Sequence, residues 1–236
     1  MNAFQFKQFS ISQEHAALKL GTDAVLLGSL TQFKQPNSIL DIGTGTGILA
    51  LMMAQKYSCP ITAIDIDGNA ILDAHTNVMA SNWNNRISVQ QISIQDFTKG
   101  SPSQFDGIIC NPPFFSNSLH NPNATKAIAR HTITLTPMDL FHCVETLLSE
   151  NGMASIIIPY SEKTRFCEAA TQSNLHLIAE WEIYPKTNAG SPNRSILQFS
   201  KQWQPFSRNT IAIRNQDSSY SEPFKQATEE FYFNLA

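Results

Sequence analysis

Cysteine is scarce in this sequence of 236 residues, and no two cysteines have the spacing of a metal or redox motif. Cys59, Cys110, Cys143 and Cys167 lie far apart, and the six histidines are equally scattered. Metal sites and catalytic dithiols draw their ligands from closely spaced pairs of such residues. We therefore expect free, buried thiols and no metal ion.

Charged residues and long apolar runs are also few. Charged side chains make up 15% of the chain and the net charge is −3, which argues against a uniformly basic surface, so any nucleic acid would be held by local patches. No apolar run approaches the roughly 20 residues of a membrane span. The N-terminus has no basic region followed by an apolar core. We expect a cytoplasmic, monomeric protein with one main domain.

A dinucleotide-binding fingerprint lacks its third glycine. Residues 41–47 read Asp-Ile-Gly-Thr-Gly-Thr-Gly, between a short apolar strand and an apolar stretch typical of a buried helix. The pattern Gly-x-Gly-x-x-Gly needs glycine where Ile48 stands, and the third glycine is instead Gly47. Such a loop lets the backbone approach a ligand and points a helix N-terminus at it. It indicates a nucleotide cofactor other than NAD, with a purely structural turn as the alternative.

Acidic residues follow the next two predicted strands. Asp65 ends the strand at 61–65, where a carboxylate can accept hydrogen bonds from both ribose hydroxyls of a nucleoside, with Ile66 against the adenine face. Asp67 is favoured as a helix cap. After the strand at 87–92, Asp96 is placed to accept from an adenine amine and Phe97 to pack on the ring. A surface aspartate and a core phenylalanine are the alternative reading of that pair.

The most specific motif, Asn111-Pro112-Pro113-Phe114, follows the strand at 105–110. Its prolines fix the turn and leave carbonyl oxygens free to face a substrate. The Asn111 side-chain oxygen and the Pro112 carbonyl can each accept one hydrogen of an amine, which aims the nitrogen lone pair at an electrophile. Phe114 would stack on a flat substrate. A nucleobase in folded nucleic acid would have to leave its stack.

Strands and helices alternate along the chain, which predicts an α/β fold. We expect seven strands in a mostly parallel sheet with helices on both faces, the seventh strand, at 195–200, being antiparallel. Residues 1–236 form one domain in this prediction. An N-terminal extension at 1–37 packs on its core, and a C-terminal strand and helix at 205–236 cover it.

Together these motifs resemble the S-adenosylmethionine-dependent methyltransferases that act on an adenine, guanine or glutamine nitrogen. Residues 6–9, 19–28 and 220–224, with 231–232, are further similar to one family, the bacterial adenosine-N6 methyltransferases that modify valine tRNA at adenosine 37, beside the anticodon. The resemblance runs from near residue 4 to near residue 233. It implies a Rossmann-like class I methyltransferase fold, a tRNA substrate, and S-adenosylhomocysteine as the cofactor product.

The resemblance also implies roles for particular residues. The expected catalytic residues are Asn111, Pro112, Pro113 and Phe114. The expected cofactor-binding residues are Gly21, Thr22, Asp41, Gly43, Thr44, Gly45, Gly47, Asp65, Ile66, Asp96, Phe97 and Asn111. We place RNA contacts on Lys126, Arg130, Arg194, Lys201, Arg208 and Arg214.

Other functions use the same motifs. The first is methylation of a glutamine side-chain amide in a translation release factor, although such enzymes usually carry a helical domain ahead of the core, and about 37 residues precede the first strand here. Methylation of ribosomal RNA at adenine N6 or guanine N2 is the second. A binding module that keeps the cofactor without chemistry is the third, and the intact Asn-Pro-Pro-Phe motif argues against it.

Overall fold

The computed structural model describes residues 3–16, 19–100, 104–112 and 135–233, and strands alternate with helices along most of these ranges. The strands are β1 (Phe4–Gln5), β2 (Ser10–Ile11), β3 (Ile39–Ile42), β4 (Ile61–Asp65), β5 (Ile87–Gln91), β6 (Phe105–Cys110), β7 (Leu148–Pro159), β8 (His176–Lys186), β9 (Arg194–Ser200) and β10 (Ser207–Arg214). The helices are α1 (Thr22–Leu30), α2 (Ile48–Lys56), α3 (Gly68–Met79), α4 (Ile94–Gly100), α5 (Pro137–Leu147), α6 (Lys163–Gln172) and α7 (Glu222–Thr228).

Eight of the described strands form one sheet in the order β10-β8-β9-β7-β6-β3-β4-β5. Every neighbouring pair is parallel except the two that include β9, which is antiparallel to β7 and to β8. The predicted α/β class, the mostly parallel sheet and the antiparallel strand are confirmed. The strand count is eight instead of seven, because β10, which we expected in a C-terminal cover, pairs with β8 at the sheet edge.

Helices cover both faces of the sheet, as predicted. On one face, α1, α2 and α7 pack together, and Leu51 and Phe224 are buried between them and the strands. On the other face, α4, α5 and α6 enclose a second cluster around Phe141 and Phe166. Strands that are covered on both faces are mostly apolar, which explains the largely apolar sequences of β3 and β6. Within the described ranges, no helix combines the length and apolar character needed to cross a bilayer.

The helix starts follow local capping rules. The Asp67 side chain accepts from the Asn69 N–H and caps α3, as predicted. Thr136 caps α5, where Thr136 and Asp139 form a reciprocal capping box and Pro137 occupies the first turn. These side chains satisfy backbone donors that a helix start leaves without partners.

The two ends of the described chain meet. β1 and β2 form a separate antiparallel hairpin, and the Phe6 ring stacks on Tyr232 with centroids 5.5 Å apart. The Lys7 N–H donates to the Phe231 carbonyl at 2.8 Å. The N-terminal hairpin is thereby joined to the C-terminal segment.

Candidate active site

The glycine loop, Asp65 and Asn111 lie at the ends of three neighbouring strands, at one edge of the sheet. β3 lies between β4 and β6, with Ile42 opposite both Ile64 and Cys110. Because the three strands are parallel, their carboxyl ends face the same way, and Asp65 and Asn111 follow directly. In open α/β sheets, ligands bind in the crevice outside the carboxyl ends of the strands.

The glycine loop after β3 uses glycine for its backbone conformation. Gly43, Gly45 and Gly47 have φ values of +69°, +56° and +83°, which side chains of L-residues rarely adopt. A Cβ at Gly43 or Gly45 would meet nothing within 4 Å, so the loop is open to a ligand there. A Cβ at Gly47 would lie 3.3 Å from the Ala74 Cα, because α3 packs against this point. The N–H groups of Gly43 and Thr44 both donate to the Ile64 carbonyl at 2.9 Å.

Asp65 connects the loop to the end of β4. Its Oδ2 accepts from the Gly45 N–H and its Oδ1 from the Asp67 N–H, each at 2.9 Å. Burial raises the pKa of this carboxyl. Each oxygen keeps a further lone pair, as a ribose diol requires. The neighbouring Ile66 side chain is 49% exposed at the same edge.

Asp41 is a fully buried carboxylate without a cationic partner among the described residues. Its Oδ2 accepts from the Thr44 hydroxyl at 2.6 Å and from the Ala50 N–H at 3.1 Å, while its Oδ1 has no hydrogen-bond partner there. Burial raises its pKa to about 7, and the nearby Asp65 carboxylate adds a smaller effect in the same direction. A buried, incompletely satisfied carboxylate favours a cationic ligand. These residues therefore fit the amino-acid end of S-adenosylmethionine.

Asn111 is half-buried at the end of β6 and Pro112 is buried beside it. The adjacent Cys110 thiol has a pKa raised well above its ordinary value, first by burial and then by the charges of Asp41 and Asp65. The ends of β3, β4 and β6 thus lie within electrostatic range of one another. Pro113 and Phe114, also predicted to be catalytic, lie outside the described residues.

Asp96 and Phe97 have structural partners of their own. Asp96 accepts from Lys99 Nζ at 3.0 Å and from the Ser93 hydroxyl at 2.8 Å, and these two partners lower its pKa. Phe97 is buried, with its ring centroid 6.2 Å from that of Phe105. The structure therefore places an exposed aspartate and a core phenylalanine here, and their contact with a cofactor stays a prediction.

Gly21 and Thr22 are exposed at the start of α1. The next residue, Asp23, accepts from Arg194 Nε at 2.7 Å. Arg194 begins β9 opposite Pro159, the last residue of β7. This ion pair fixes the start of α1 at the same edge of the sheet as the glycine loop.

The four predicted RNA-binding cations that the structure describes do not share one surface. Arg214 lies at the site edge, opposite Lys186 at the end of β8, and its guanidinium carbon is 4.2 Å from the Tyr220 ring centroid. Lys201 follows β9 at the opposite edge, with Nζ 3.6 Å from Glu145.

Arg208 lies in register with Glu180, its Nε 3.4 Å from that buried carboxylate. Lys126 and Arg130 lie outside the described residues. Within the described ranges, no group of three or more candidate metal ligands comes together, and the expected absence of a metal stays a prediction.

One residue near the site has no sequence motif to reveal it. Asn77 of α3 is buried and bonds to the glycine loop and to the N-terminal segment at once. A single asparagine in an amphipathic helix reads as an ordinary polar position. Only the tertiary contacts distinguish it.

Comparison with known proteins places this geometry in a family. The methyltransferase small domain family matches residues 14–137. A tRNA1(Val) (adenine(37)-N6)-methyltransferase of Phocaeicola vulgatus is 40% identical over 98% of both chains. The protein of the same name from Pseudoalteromonas translucida is 38% identical over the full length of both. The chain belongs to the tRNA1(Val) (adenine(37)-N6)-methyltransferase family.

Membership of this family makes the chain a methyltransferase and accounts for the fold. A predicted O-methyltransferase from Agrobacterium tumefaciens superposes with a TM-score of 0.66 at 15% identity, over 88% of this chain and 96% of the other. At that identity the likeness shows the fold alone. It agrees with the class I methyltransferase sheet expected from the sequence.

Proposed function

We propose that this protein transfers a methyl group from S-adenosylmethionine to N6 of an adenosine in tRNA, namely adenosine 37 of a valine tRNA. The name shared by its full-length relatives supports the substrate. The observation that carries the chemistry is the position of Asn111, one strand away from the glycine loop and at the same edge as Asp65. A tRNA substrate also agrees with a cytoplasmic location.

In this proposal the cofactor lies across the ends of β3 and β4. Asp41 and the glycine loop hold its amino-acid end, Asp65 binds the ribose hydroxyls, and Ile66 covers one face of the adenine. When bound, S-adenosylmethionine supplies an electrophilic methyl group on a sulfonium. The open space in front of Gly43 and Gly45 admits such a ligand.

Asn111 and Pro112 hold the target nitrogen. An adenine amine is a weak nucleophile, because its lone pair is delocalised into the ring. With the Asn111 side-chain oxygen and the Pro112 carbonyl each accepting one of its hydrogens, the nitrogen becomes more pyramidal and carries its developing charge between two acceptors. No general base is required, because the proton leaves after the methyl group has been transferred.

Of the predicted RNA-binding cations that the structure describes, two lie at the site edge, in a position to contact tRNA phosphates. Arg194 and Arg214 lie at the same edge of the sheet as Asn111. Arg194 is already paired with Asp23, so Arg214 offers the freer charge. Phosphate contacts position an RNA without specifying its sequence.

The test is methyl transfer from labelled cofactor to three candidate substrates: total tRNA from a strain lacking this protein, ribosomal RNA, and a release factor. The proposal expects label in tRNA, recovered as N6-methyladenosine in the valine species. A valine tRNA transcript carrying guanosine at position 37 is the matched control and should stay unlabelled. Label in ribosomal RNA or in the release factor would keep the cofactor site and overturn the substrate.

A further inference from the structure

Asn77 is a buried side chain of α3 that forms hydrogen bonds with two separate segments of the chain. Its Oδ1 accepts from the Ser12 N–H at 2.8 Å, and its Nδ2 donates to the Ser12 carbonyl at 2.8 Å and to the Thr46 carbonyl at 2.9 Å. Both amide hydrogens are therefore used. One side chain ties the cofactor loop to the N-terminal segment.

Asp73, one helical turn earlier, binds the N-terminal segment. It accepts from the main-chain N–H groups of His15 and Ala16 at 3.0 and 2.8 Å, and its Oδ1 lies 2.8 Å from His15 Nδ1. Burial by itself would raise the pKa of Asp73, but these bonds together lower it. All of these partners belong to the N-terminal segment, whereas Asn77 also reaches the loop.

The loop needs an external support at this point. Three of its residues have positive φ, and glycine leaves the unbound chain many competing conformations. The bonds from Gly43 and Thr44 to Ile64 hold its first half on β4. Its second half leads into α2, and there the Thr46 carbonyl accepts from Asn77.

We propose that Asn77 is a positioning residue for the cofactor site, which acts by holding the Thr46 carbonyl so that the glycine loop is preorganised before the cofactor binds. The inference rests on the proposed cofactor. Asn77 does not touch the reacting atoms. Its effect therefore falls on cofactor binding, while the methyl-transfer step at saturating cofactor is spared.

The experiment measures binding of S-adenosylhomocysteine by calorimetry to the full chain and three variants. Asn77→Asp keeps the size and the acceptor for Ser12 but removes both donations. Asp73→Ala removes only the bonds from Asp73 to the N-terminal segment and leaves the bond to Thr46 in place. His75→Ala changes an exposed position of the same helix. We expect the Kd to rise about tenfold in Asn77→Asp, to change less than about threefold in Asp73→Ala, and to stay unchanged in His75→Ala.

Amide hydrogen exchange without any cofactor gives an independent readout. Protection at residues 46–50 should fall in Asn77→Asp relative to Asp73→Ala, because the loop can then open without breaking the bond to Thr46. Steady-state kinetics should show a raised KM for S-adenosylmethionine with kcat within about twofold of the wild type.

Equal effects of Asn77→Asp and Asp73→Ala on Kd would overturn the inference, since docking of the N-terminal segment would then explain both. An unchanged Kd in Asn77→Asp would overturn it as well. If the wild-type protein itself fails to bind S-adenosylhomocysteine, the proposed function falls first and the inference with it. If Asn77→Asp does not fold, amide exchange at residues 46–50 is measured in Asn77→Ser instead. Protection equal to that of the wild type in this variant would contradict the proposal.

Discussion

At the scale of single residues, Asp41 has the most unusual environment in the proposed site. A carboxylate that is fully buried with a pKa of about 7 is partly protonated near neutral pH. A cationic ligand beside it favours the charged form and so lowers this pKa in the complex. The ligand must then bind the deprotonated protein better than the protonated one.

We therefore predict that S-adenosylmethionine binds about tenfold more weakly at pH 6 than at pH 8, because most Asp41 side chains are protonated at the lower pH. Calorimetry in buffers of different ionisation enthalpy should also show about half a proton released per ligand bound near pH 7, where half of the Asp41 side chains are protonated. In Asp41→Asn, the affinity should be lower and should vary little over this range. An affinity of the wild type that is independent of pH would contradict this role of Asp41.

Gly47 is constrained by both its backbone conformation and its neighbour. Its φ of +83° is one that residues with a side chain rarely adopt, and a Cβ at this position would lie 3.3 Å from the Ala74 Cα. Gly45 also has a positive φ, but a Cβ there would meet no neighbouring atom within 4 Å. We predict that Gly47→Ala lowers the free energy of unfolding by about 2 kcal/mol or more and Gly45→Ala by about 1 kcal/mol. Urea unfolding of the two ligand-free variants measures the difference, and equal losses would show that α3 yields easily at this point.

At the scale of elements, Arg86 closes the C-terminal end of α2. Its guanidinium donates to the carbonyls of Ala54, Tyr57 and Cys59 at 3.0, 2.7 and 3.2 Å. The carbonyls at a helix end have no partners within the helix, and a cation there also complements the helix dipole. Arg86 thus joins α2 to the loop before β4.

We predict that Arg86→Ala lowers the free energy of unfolding by about 2 kcal/mol, because partly buried carbonyls lose charged donors. The matched control is Arg165→Ala, which removes only a surface pair with Glu162 and should cost less than about 0.5 kcal/mol. Both values come from denaturant unfolding followed by circular dichroism. A loss in Arg86→Ala as small as in the control would show that water replaces the guanidinium.

Local signals explain which elements could be predicted from the sequence. The cap of α3 was predictable because Asp67 acts on backbone within three residues of itself. Asp96 has bonds to Ser93 and Lys99 of its own helix turn, and its contact with an adenine amine stays a prediction.

At the scale of the whole molecule, the N-terminal hairpin and the C-terminal segment complete one core. Phe231 is 1% exposed and belongs to the same cluster as α1 and α2, and its carbonyl accepts from Lys7 of the N-terminal hairpin. The C-terminal strand β10 is part of the main sheet. The C-terminal segment is therefore a structural part of the same sheet and core whose edge carries the proposed site.

We predict that Phe231→Ala lowers the free energy of unfolding of the whole chain by about 3–5 kcal/mol, because it leaves a cavity in the main core. Phe233→Ala, at a side chain that is 58% exposed, is the control two residues away and should change stability by less than about 0.5 kcal/mol. Circular dichroism and tryptophan fluorescence should give one coincident transition for Phe231→Ala. Two separate transitions would show that the C-terminal segment unfolds independently.

The pairing of strands that are far apart in the sequence could not be predicted. The sequence placed Asp41, Asp65 and Asn111 each beside the end of a predicted strand, and in the structure parallel neighbours bring these strand ends to one edge. The pairing of β10 with β8, and the opposite placement of Lys201 and Arg214, depend on register between strands that no local pattern encodes. The chosen cations that the structure describes therefore lie on different parts of the surface.

The most direct test of the central claim is nucleoside analysis of valine tRNA from a strain lacking this protein, complemented with either the wild-type chain or Asn111→Ala. We expect N6-methyladenosine at position 37 with the wild type. With Asn111→Ala, at matched protein levels and with cofactor binding retained in the purified variant, the modification should fall by about 100-fold or more. Full modification by Asn111→Ala would contradict the proposed chemistry. If the wild type produces no N6-methyladenosine at position 37, the proposed substrate is contradicted.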